Sequence, residues 1–163
     1  HEVANPSILF SIAAPSPSPV LICDRRQLAQ ALSNIVKNGV EAITQKSDAS
    51  NAEIALAIVE EPSGPLVISI ADSGIGLPLE RERIIEPYMT TRPGGTGLGL
   101  AIVKKIVEEH MGTISFADRE GGGTVVTIRI DPAVLSAAIA RQAQSPAGTP
   151  DQLPSALTRT KEK

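Results

Sequence analysis

The sequence predicts one domain of mixed α and β structure. With 163 residues, 42% of them apolar, the chain is long enough for a single hydrophobic core. Two segments carry apolar residues at helical spacing, and each is followed by two Ile- and Val-rich segments joined by a turn. Residues 133–163 shift to Ala, Ser, Pro, Gln and Thr. We therefore expect the domain at 1–132 and a tail at 133–163, a frayed helix followed by disordered chain.

Composition narrows the classes of function. The net charge of −3 and the lack of a basic stripe argue against nucleic-acid binding. The single cysteine, Cys23, excludes an internal disulfide, fits a reducing compartment and is expected to fill apolar space. The sequence contains no run of 18 apolar residues, so we expect neither a membrane span nor membrane contact. The start at His1, without Met, suggests a piece of a longer protein.

The first third of the chain predicts two strands and a long helix. We expect strands at Ile8–Ala13 and, briefly at a sheet edge, at Val20–Ile22. Asp24 is a candidate N-cap, with Gln27 completing a capping box, and the helix runs to about Thr44. Its core face comprises Leu28, Ala31, Leu32, Ile35, Ala42 and Ile43.

One stripe of this helix carries Asn34, Asn38 and Glu41. The three side chains lie at i, i+4 and i+7, and therefore on one side of the helix. A solvated face is one interpretation. However, asparagine is a poor helix former, and two of them favour a binding function.

A predicted hairpin follows, with strands at Ala52–Glu60 and Leu66–Ala71. Asp72 closes the second strand, and Gly74 and Gly76 follow it. A carboxylate in this position suits a hydrogen bond to a ligand amine, although it can also cap the glycine turn.

A glycine-dense loop, 94–99, runs into the second helix. Glycines let backbone N–H groups approach a ligand, and a helix N-terminus attracts anions, a nucleotide phosphate above all. Before it we expect a short helix at 79–85 and a mobile loop at 86–95. In that loop Arg92 either reaches phosphate oxygens or is solvated.

The second helix should end near Met111 with Gly112 as its stop, and His110 in its last turn is expected to be structural. The second hairpin then pairs Thr113–Ala117 with Thr124–Ile130.

In this order the motifs resemble the catalytic domain of sensor histidine kinases, in the superfamily of gyrase, heat-shock chaperones and MutL. Leu32–Ala42 resembles the N box and Asp72–Pro78 the first glycine box. Glu86–Arg92 resembles the phenylalanine box and lid, and Gly95–Leu100 the second glycine box. The resemblance covers roughly 8–131. Segments 23–28, 90–92 and 101–108 are similar to nitrogen-regulation kinases of the NtrY and NtrB type, more to NtrY.

The resemblance implies a two-layer α/β sandwich, the Bergerat ATP-binding fold, with a mixed, mostly antiparallel sheet and helices on one face. The implied activity is that of a histidine protein kinase that transfers the γ-phosphoryl group of Mg·ATP to a histidine on a dimerisation domain. A response regulator of the nitrogen-control type is the implied downstream partner. The domain is expected on the cytoplasmic side, with the full-length protein anchored in the bacterial inner membrane.

The resemblance also assigns residues. Asn38 would ligate Mg²⁺, and Asn34 and Arg92 would act catalytically at the phosphates. Asp72 would accept from the adenine amino group, with Gly76 and Thr124 nearby. The nucleotide-binding set is Asn34, Asn38, Asp72, Ile75, Gly76, Leu77, Thr91, Arg92, Gly95, Thr96, Gly97, Leu98, Gly99, Leu100 and Thr124.

The sequence departs from the family pattern at two positions. Tyr88 replaces the usual Phe, a mild change. Glu41 stands where many members carry Lys or Arg, so it receives no phosphate contact; it could reach Mg²⁺ through water, and Lys37 could supply positive charge.

The start of the chain, His1-Glu-x-x-Asn-Pro6, spells the phosphoacceptor pattern of these kinases. We reject that interpretation, because too few residues precede Pro19 to place the required helical hairpin.

Three other functions fit part of this motif set. An ATP hydrolase of the gyrase, chaperone or MutL kind would have a Glu general base at Asn34, and an amide cannot take a proton from water. An anti-sigma factor serine kinase and a nucleotide-binding module without catalysis remain alternatives. Gly-x₄-Gly-Lys is absent, which excludes a P-loop, and 95–99 lacks the dinucleotide spacing.

Overall fold

The computed structural model describes residues 7–47, 51–78 and 97–144. The elements in chain order are β1 (Leu9–Ala13), α1 (Arg25–Thr44), β2 (Glu53–Glu60), β3 (Leu66–Asp72), α2 (Gly99–Glu109), β4 (Thr113–Asp118), β5 (Thr124–Ile130) and α3 (Pro132–Gln144). Both predicted hairpins and both long helices are therefore present. The short helix expected at 79–85 and the loop at 86–95 lie outside the described residues, as does the tail 145–163.

The five strands form one mixed sheet in the order β1-β2-β3-β5-β4. β1 runs parallel to β2, and the other three pairings are antiparallel. Helices α1 and α2 pack against each other, α1 also against β2 and β3, and α2 against β4. This confirms the expected two-layer α/β sandwich. The register aligns Ile54, Asp72 and Thr124 at one end of the three central strands.

The core lies between the sheet and the two long helices. Every second residue of β3 and β5 is buried, as expected for strands with one covered face. Alanine and isoleucine of α1 and the valines of α2 fill the facing layer. The fully buried large side chains are Ile43, Ile54, Val103, Val107, Ile128 and Ile130. Aliphatic side chains thus fill the centre of the described core, without an aromatic residue there.

Helix α1 begins as predicted at Asp24, but its capping box does not form. The Asp24 carboxylate accepts from the N–H groups of Arg26 (2.9 Å) and Gln27 (3.1 Å). In a capping box the Gln27 side chain would accept from the Asp24 N–H. That N–H instead donates to Nε2 of His110 (3.2 Å), and the Gln27 Oε1 is buried without a hydrogen-bond partner among the described residues. The expected box was therefore wrong, because an imidazole 86 residues away takes the same donor.

His110 is buried and has both ring nitrogens engaged. Its Nδ1 lies 2.7 Å from the Ile106 carbonyl oxygen, so Nδ1 carries the proton and Nε2 is the acceptor for Asp24. The expected structural role of His110 is confirmed. The side chain ties the end of α2 to the start of α1.

Two boundaries differ from the predictions. The segment Val20–Ile22 is not a strand: Val20 and Ile22 are exposed, and Leu21 alone packs against the core. At the end of α2, Met111 rather than Gly112 takes the left-handed conformation, with φ of 54°. Gly112 is needed for space, since an added Cβ would lie 2.8 Å from the Arg129 carbonyl oxygen.

Helix α3 follows β5 directly. The Asp131 carboxylate accepts from the N–H groups of Ala133 and Val134 and so caps it, and Leu135 is buried in the core. Within the described ranges, no helix has the length and apolar character needed to cross a bilayer.

Candidate functional site

The end of β3 and helix α1 come close together because α1 has a glycine where they meet. A Cβ on Gly39 would lie 3.1 Å from the Asp72 Cβ and 3.5 Å from the Ile54 Cδ1. Such contact is tighter than most side chains accept. Asn38, the neighbouring residue on the same turn, is half-buried. The predicted amide and carboxylate are thus brought to one end of the sheet by adjacent backbone segments.

Asp72 is a buried carboxylate, 7% exposed, at the last position of β3. Its Oδ1 accepts from the Gly74 N–H (2.8 Å), and the Thr124 N–H also bonds to the carboxylate. Burial raises the pKa of Asp72, while these two hydrogen bonds and the charges of Arg119 and Lys46 act in the opposite direction. A carboxylate kept here against a desolvation cost is typical of a binding group.

The loop after Asp72 is pressed against α1. A Cβ on Gly74 would lie 2.6 Å from the carbonyl carbon and the Cβ of Ala42, so only glycine fits. The next residue, Ile75, donates its N–H to the Ala42 carbonyl (3.2 Å). The turn that Asp72 was expected to cap is therefore real, and the carboxylate serves it through a single oxygen, Oδ1.

A second loop reaches the same place from the β4–β5 hairpin. Gly123 has φ of 108°, and an added Cβ would lie 2.0 Å from the Asp72 carbonyl oxygen. Gly76, with φ of 82°, sits beside it, its added Cβ 3.5 Å from the Gly123 carbonyl oxygen. Two glycine backbone segments thus pack closely around the Asp72 backbone, at the end of β3 that carries the carboxylate.

The amide of Asn38 faces the start of α2. Both its Oδ1 and its Nδ2 lie 3.9 Å from the position of an added Cβ on Gly99, the first residue of that helix. An α-helix leaves its first N–H groups without intrahelical partners, and the N-cap residue Leu98 has an aliphatic side chain that cannot accept from them. Gly97, with φ of 63°, directly precedes Leu98. A positive helix end beside an amide oxygen suits phosphate and a hard cation.

The structure brings most of the predicted residues into this region. Asn34 and Asn38 lie half-buried on α1, Asp72 and Thr124 are cross-strand partners, and Gly97 leads into α2. The other described members of the set lie in the two glycine segments: Ile75, Gly76, Leu77, Leu98, Gly99 and Leu100. Four members lie outside the described residues: Thr91, Arg92, Gly95 and Thr96.

Sequence reasoning missed three contributors. Gly39 sits inside a helical pattern, and an isolated glycine there signals a packing reason. Gly123 belongs to a run of three glycines that predicts only a turn. Lys46, whose Nζ donates to the Ser73 carbonyl (3.0 Å), carries no local signal. Long-range contacts of this kind follow from topology and not from spacing.

Within the described ranges, no group of three or more His, Cys, Asp or Glu side chains is arranged to hold a metal ion. A pocket of about 320 Å³ lies at the opposite end of the sheet, lined by Glu60, Gly64, Leu66, Asp131 and Pro132 among others. The predicted site residues Asn38 and Asp72 do not line this pocket. A metal at the Asn38 side would therefore need most of its oxygen ligands from the bound phosphates, the usual arrangement for Mg²⁺.

Comparison with known proteins gives the class. Residues 23–134 match the family model of histidine kinase-, DNA gyrase B- and HSP90-like ATPases, and the chain belongs to this family. The match includes both asparagines, Asp72 and the start of α2.

The relatives narrow the class to sensor kinases. The chain is 44% identical over 132 residues to nitrogen regulation protein NtrY of Azorhizobium caulinodans, covering 79% of this chain and 17% of that protein. It is 40% identical over 129 residues to the sensor histidine kinase ZraS of Escherichia coli K12, covering 78% of this chain and 26% of ZraS. The chain thus spans only 17% and 26% of the lengths of these two relatives.

Solved structures agree. The catalytic domain of histidine kinase ThkA, in a nucleotide-free form, superposes with a TM-score of 0.66 at 32% identity, covering 77% of this chain and 80% of that one. Full-length ShkA in complex with AMPPNP superposes with a TM-score of 0.65 at 27% identity, covering 76% of this chain and 25% of that one. The predicted resemblance to histidine kinase catalytic domains is confirmed.

Proposed function

We propose that this chain is the ATP-binding catalytic domain of a two-component sensor histidine kinase, and that it delivers the γ-phosphoryl group of ATP to a histidine on a dimerisation domain. The observation that carries the proposal is the pairing of a buried carboxylate at the end of β3 with an amide facing the N-terminus of α2. The carboxylate suits a base with an amino group, and the amide beside the helix N-terminus suits a metal-bound phosphate chain. The AMPPNP complex of ShkA supports a nucleotide in this fold.

Adenine would lie against Asp72. The Oδ1 atom is used by Gly74, so the carboxylate has acceptor capacity left for the adenine amino group. Gly76 would let the ring approach the backbone beside Asp72, and Ile75 and Leu77 would supply apolar contact around it. Thr124 is the remaining polar neighbour, held beside Asp72 by the β3–β5 register.

The phosphates would lie between α1 and the start of α2. The N–H groups that follow Gly97 point along the helix axis, and Asn34 and Asn38 line the facing stripe of α1. Leu98 and Leu100 support the turn from below. Mg²⁺, when bound, would offset phosphate charge and polarise the transferring group, with Asn38 as its protein ligand. Thr91, Arg92, Gly95 and Thr96 keep their assignments from the sequence, Arg92 as the γ-phosphate clamp.

Asn34 favours transfer over hydrolysis. A hydrolase of this family needs a general base to activate water, and a carboxamide has no proton affinity suited to that task. Asn34 is half-buried on α1, and its amide would hydrogen-bond a phosphate group without activating water. The reaction then waits for a better nucleophile, which an imidazole on another domain provides.

The partners follow from the same proposal. The acceptor is the histidine-bearing domain of the full-length kinase, and the phosphoryl group passes on to a response regulator. Similarity to NtrY supports a regulator of the nitrogen-control type. We place this domain on the cytoplasmic side of the inner membrane, with the full-length protein anchored in that membrane.

Two measurements test the proposal. Calorimetric titration with AMPPNP should give binding that strengthens when Mg²⁺ is added. Mixed with a separately produced histidine-bearing domain of the same kinase and γ-labelled ATP, the chain should label that domain, and a His→Gln acceptor should stay unlabelled. ATP hydrolysis at a rate unaffected by the acceptor, with no label transferred, would favour the hydrolase alternative. No binding at millimolar AMPPNP would overturn the assignment.

A further inference from the structure

Two ion pairs cross the sheet from β2 to the β4–β5 hairpin. Arg119 pairs with Glu53, and Arg129 pairs with Glu61. Glu53 is the first residue of β2 and Glu61 directly follows its last, so the first pair lies at the Asp72 end and the second at the far end. Because Ile54 faces the core, its neighbour Glu53 projects from the other face of the sheet. The two pairs have the same chemistry and differ in where they act.

Arg119 is built into the turn that carries Gly123. Its backbone N–H donates to the Gly123 carbonyl (3.0 Å), and its own carbonyl accepts from the Gly122 N–H (2.9 Å). Gly123 in turn sits against the Asp72 carbonyl oxygen and beside Gly76. A displacement of this turn therefore shifts the backbone that carries the Asp72 carboxylate.

Glu53 holds the residue that follows Asp72. Its backbone N–H donates to the Ser73 Oγ (2.9 Å), and its carbonyl accepts from the Ser73 N–H (3.1 Å). The Ser73 hydroxyl also donates to the Asn51 carbonyl (3.2 Å), and Lys46 donates to the Ser73 carbonyl. Ser73 directly follows Asp72. Glu53 thus fixes the carboxylate-bearing segment through its backbone while its side chain reaches the opposite turn.

The ion pair is more than a surface contact. The Arg119 and Glu53 side chains are 24% and 31% exposed, against 49% and 35% for Arg129 and Glu61. One guanidinium nitrogen of Arg119, Nη1, is buried without a hydrogen-bond partner among the described residues. The charge of Arg119 also opposes the rise in the pKa of Asp72. Partial burial strengthens such a pair, whereas exposed pairs contribute little.

We propose that Arg119, through its ion pair with Glu53, is a specificity-determining positioning residue that sets how strictly Asp72 selects adenine over guanine. The inference rests on the proposed adenine site. Adenine presents an amino donor where guanine presents a carbonyl acceptor, so a rigidly held carboxylate accepts from the first and repels the second. When the ion pair is removed, the turn relaxes and the position of the carboxylate is less fixed. The discrimination between adenine and guanine then falls by more than the stability of the fold.

The test compares nucleotide preference between matched pairs of variants. Affinities for AMPPNP and GMPPNP, each with Mg²⁺, are measured by displacement of a fluorescent ATP analogue. Arg119→Gln and Glu53→Gln should each lower the AMPPNP-to-GMPPNP affinity ratio by about tenfold, the equivalent of one well-placed hydrogen bond. Arg129→Gln and Glu61→Gln, which remove the remote pair, should leave the ratio unchanged.

The outcomes separate this inference from the proposed function. If the wild type binds neither nucleotide, the proposed function fails. If the wild type prefers AMPPNP, and Arg119→Gln and Arg129→Gln have equal AMPPNP-to-GMPPNP affinity ratios, the positioning role is refuted while the proposed function stands. A loss of ratio in Arg119→Gln with none in Glu53→Gln also refutes positioning, since charge alone would then be responsible. Should Arg119→Gln not fold, Arg119→Lys and Glu53→Gln decide, with the lysine variant expected to retain most of the ratio.

Discussion

Replacing Asp72 by Asn separates the stability of the domain from its recognition of the base. Burial raises the pKa of Asp72 above its ordinary value of 3.8. The folded protein therefore binds this proton more readily than the unfolded chain, and the stability of the fold decreases as pH rises from 3.8 through the raised value. The neutral amide has no such cost, and its oxygen can still accept from the Gly74 N–H. Without nucleotide, Asp72→Asn should be at least as stable as the wild type at neutral pH.

Binding should change in the opposite direction. With its oxygen on Gly74, the amide presents an NH₂ group to the adenine amino group, so a donor meets a donor. A hydrogen bond to a charged acceptor is worth roughly 1.5–3 kcal/mol, which corresponds to a loss of about 10- to 100-fold in ATP affinity. The variant is thus expected to gain stability and lose function, as happens when a strained binding group is neutralised.

Two assays check this pair of effects. Calorimetry with AMPPNP and Mg²⁺ gives the affinities, and thermal unfolding without nucleotide, from about pH 4 to pH 8, gives the stabilities. Thr127→Ser, on the same sheet but remote from the base, is a mild control. Equal affinities for variant and wild type would contradict the role of Asp72. A variant less stable than the wild type at every pH would contradict the desolvation argument.

Three further predictions concern the rest of the site and its supports. Asn38→Ala should remove most of the Mg²⁺-dependent gain in AMPPNP affinity, about tenfold, and leave Mg²⁺-independent binding nearly intact; equal metal dependence in both proteins would exclude it as a ligand. His110→Leu should lower the free energy of unfolding by ~1–3 kcal/mol in urea, because the Asp24 N–H is left without its acceptor. Gly74→Ala should destabilise by ~1–3 kcal/mol through overpacking against the Ala42 backbone, and an unchanged free energy of unfolding in urea would contradict that contact.

A fourth prediction of the same group concerns acid. Hydrogen bonding to the Gln27 N–H lowers the pKa of Asp24. Its contribution to stability is therefore present above its ordinary value of 3.8 and is lost as pH falls through the lowered value. Asp24→Asn, still able to cap, should show a flatter loss of stability in acid and wild-type behaviour at neutral pH; an unchanged acid limb would count against this cap.

Much of the fold was predictable because its signals are local. The Asp24 cap, the periodicity of α1 and the two hairpins each depend on residues a few positions apart. The predicted strand at Val20–Ile22 failed because a three-residue apolar run does not reveal that only its middle residue turns inward. The capping box failed because His110, distant in sequence, competes for the same N–H.

The candidate site was predictable in its chemistry and less so in its construction. Asn38, Asp72 and the glycine segments were found from their order along the chain and from family resemblance. The contacts that hold these residues together could not be predicted in this way. The Arg119–Glu53 pair joins positions 66 residues apart, and nothing in the spacing of charges selects Glu53 over the other acidic residues.

The glycine at position 39 has a consequence for the size of ligand that this domain accepts. It lets α1 pack directly against the Asp72 and Ile54 side chains, and Asn38 is carried on the same turn. Any larger side chain there would push the helix outward and lengthen the span from Asp72 to the Asn38 amide. Under the proposed function, the missing Cβ at Gly39 thus sets the distance between the groups assigned to the base and to the phosphates.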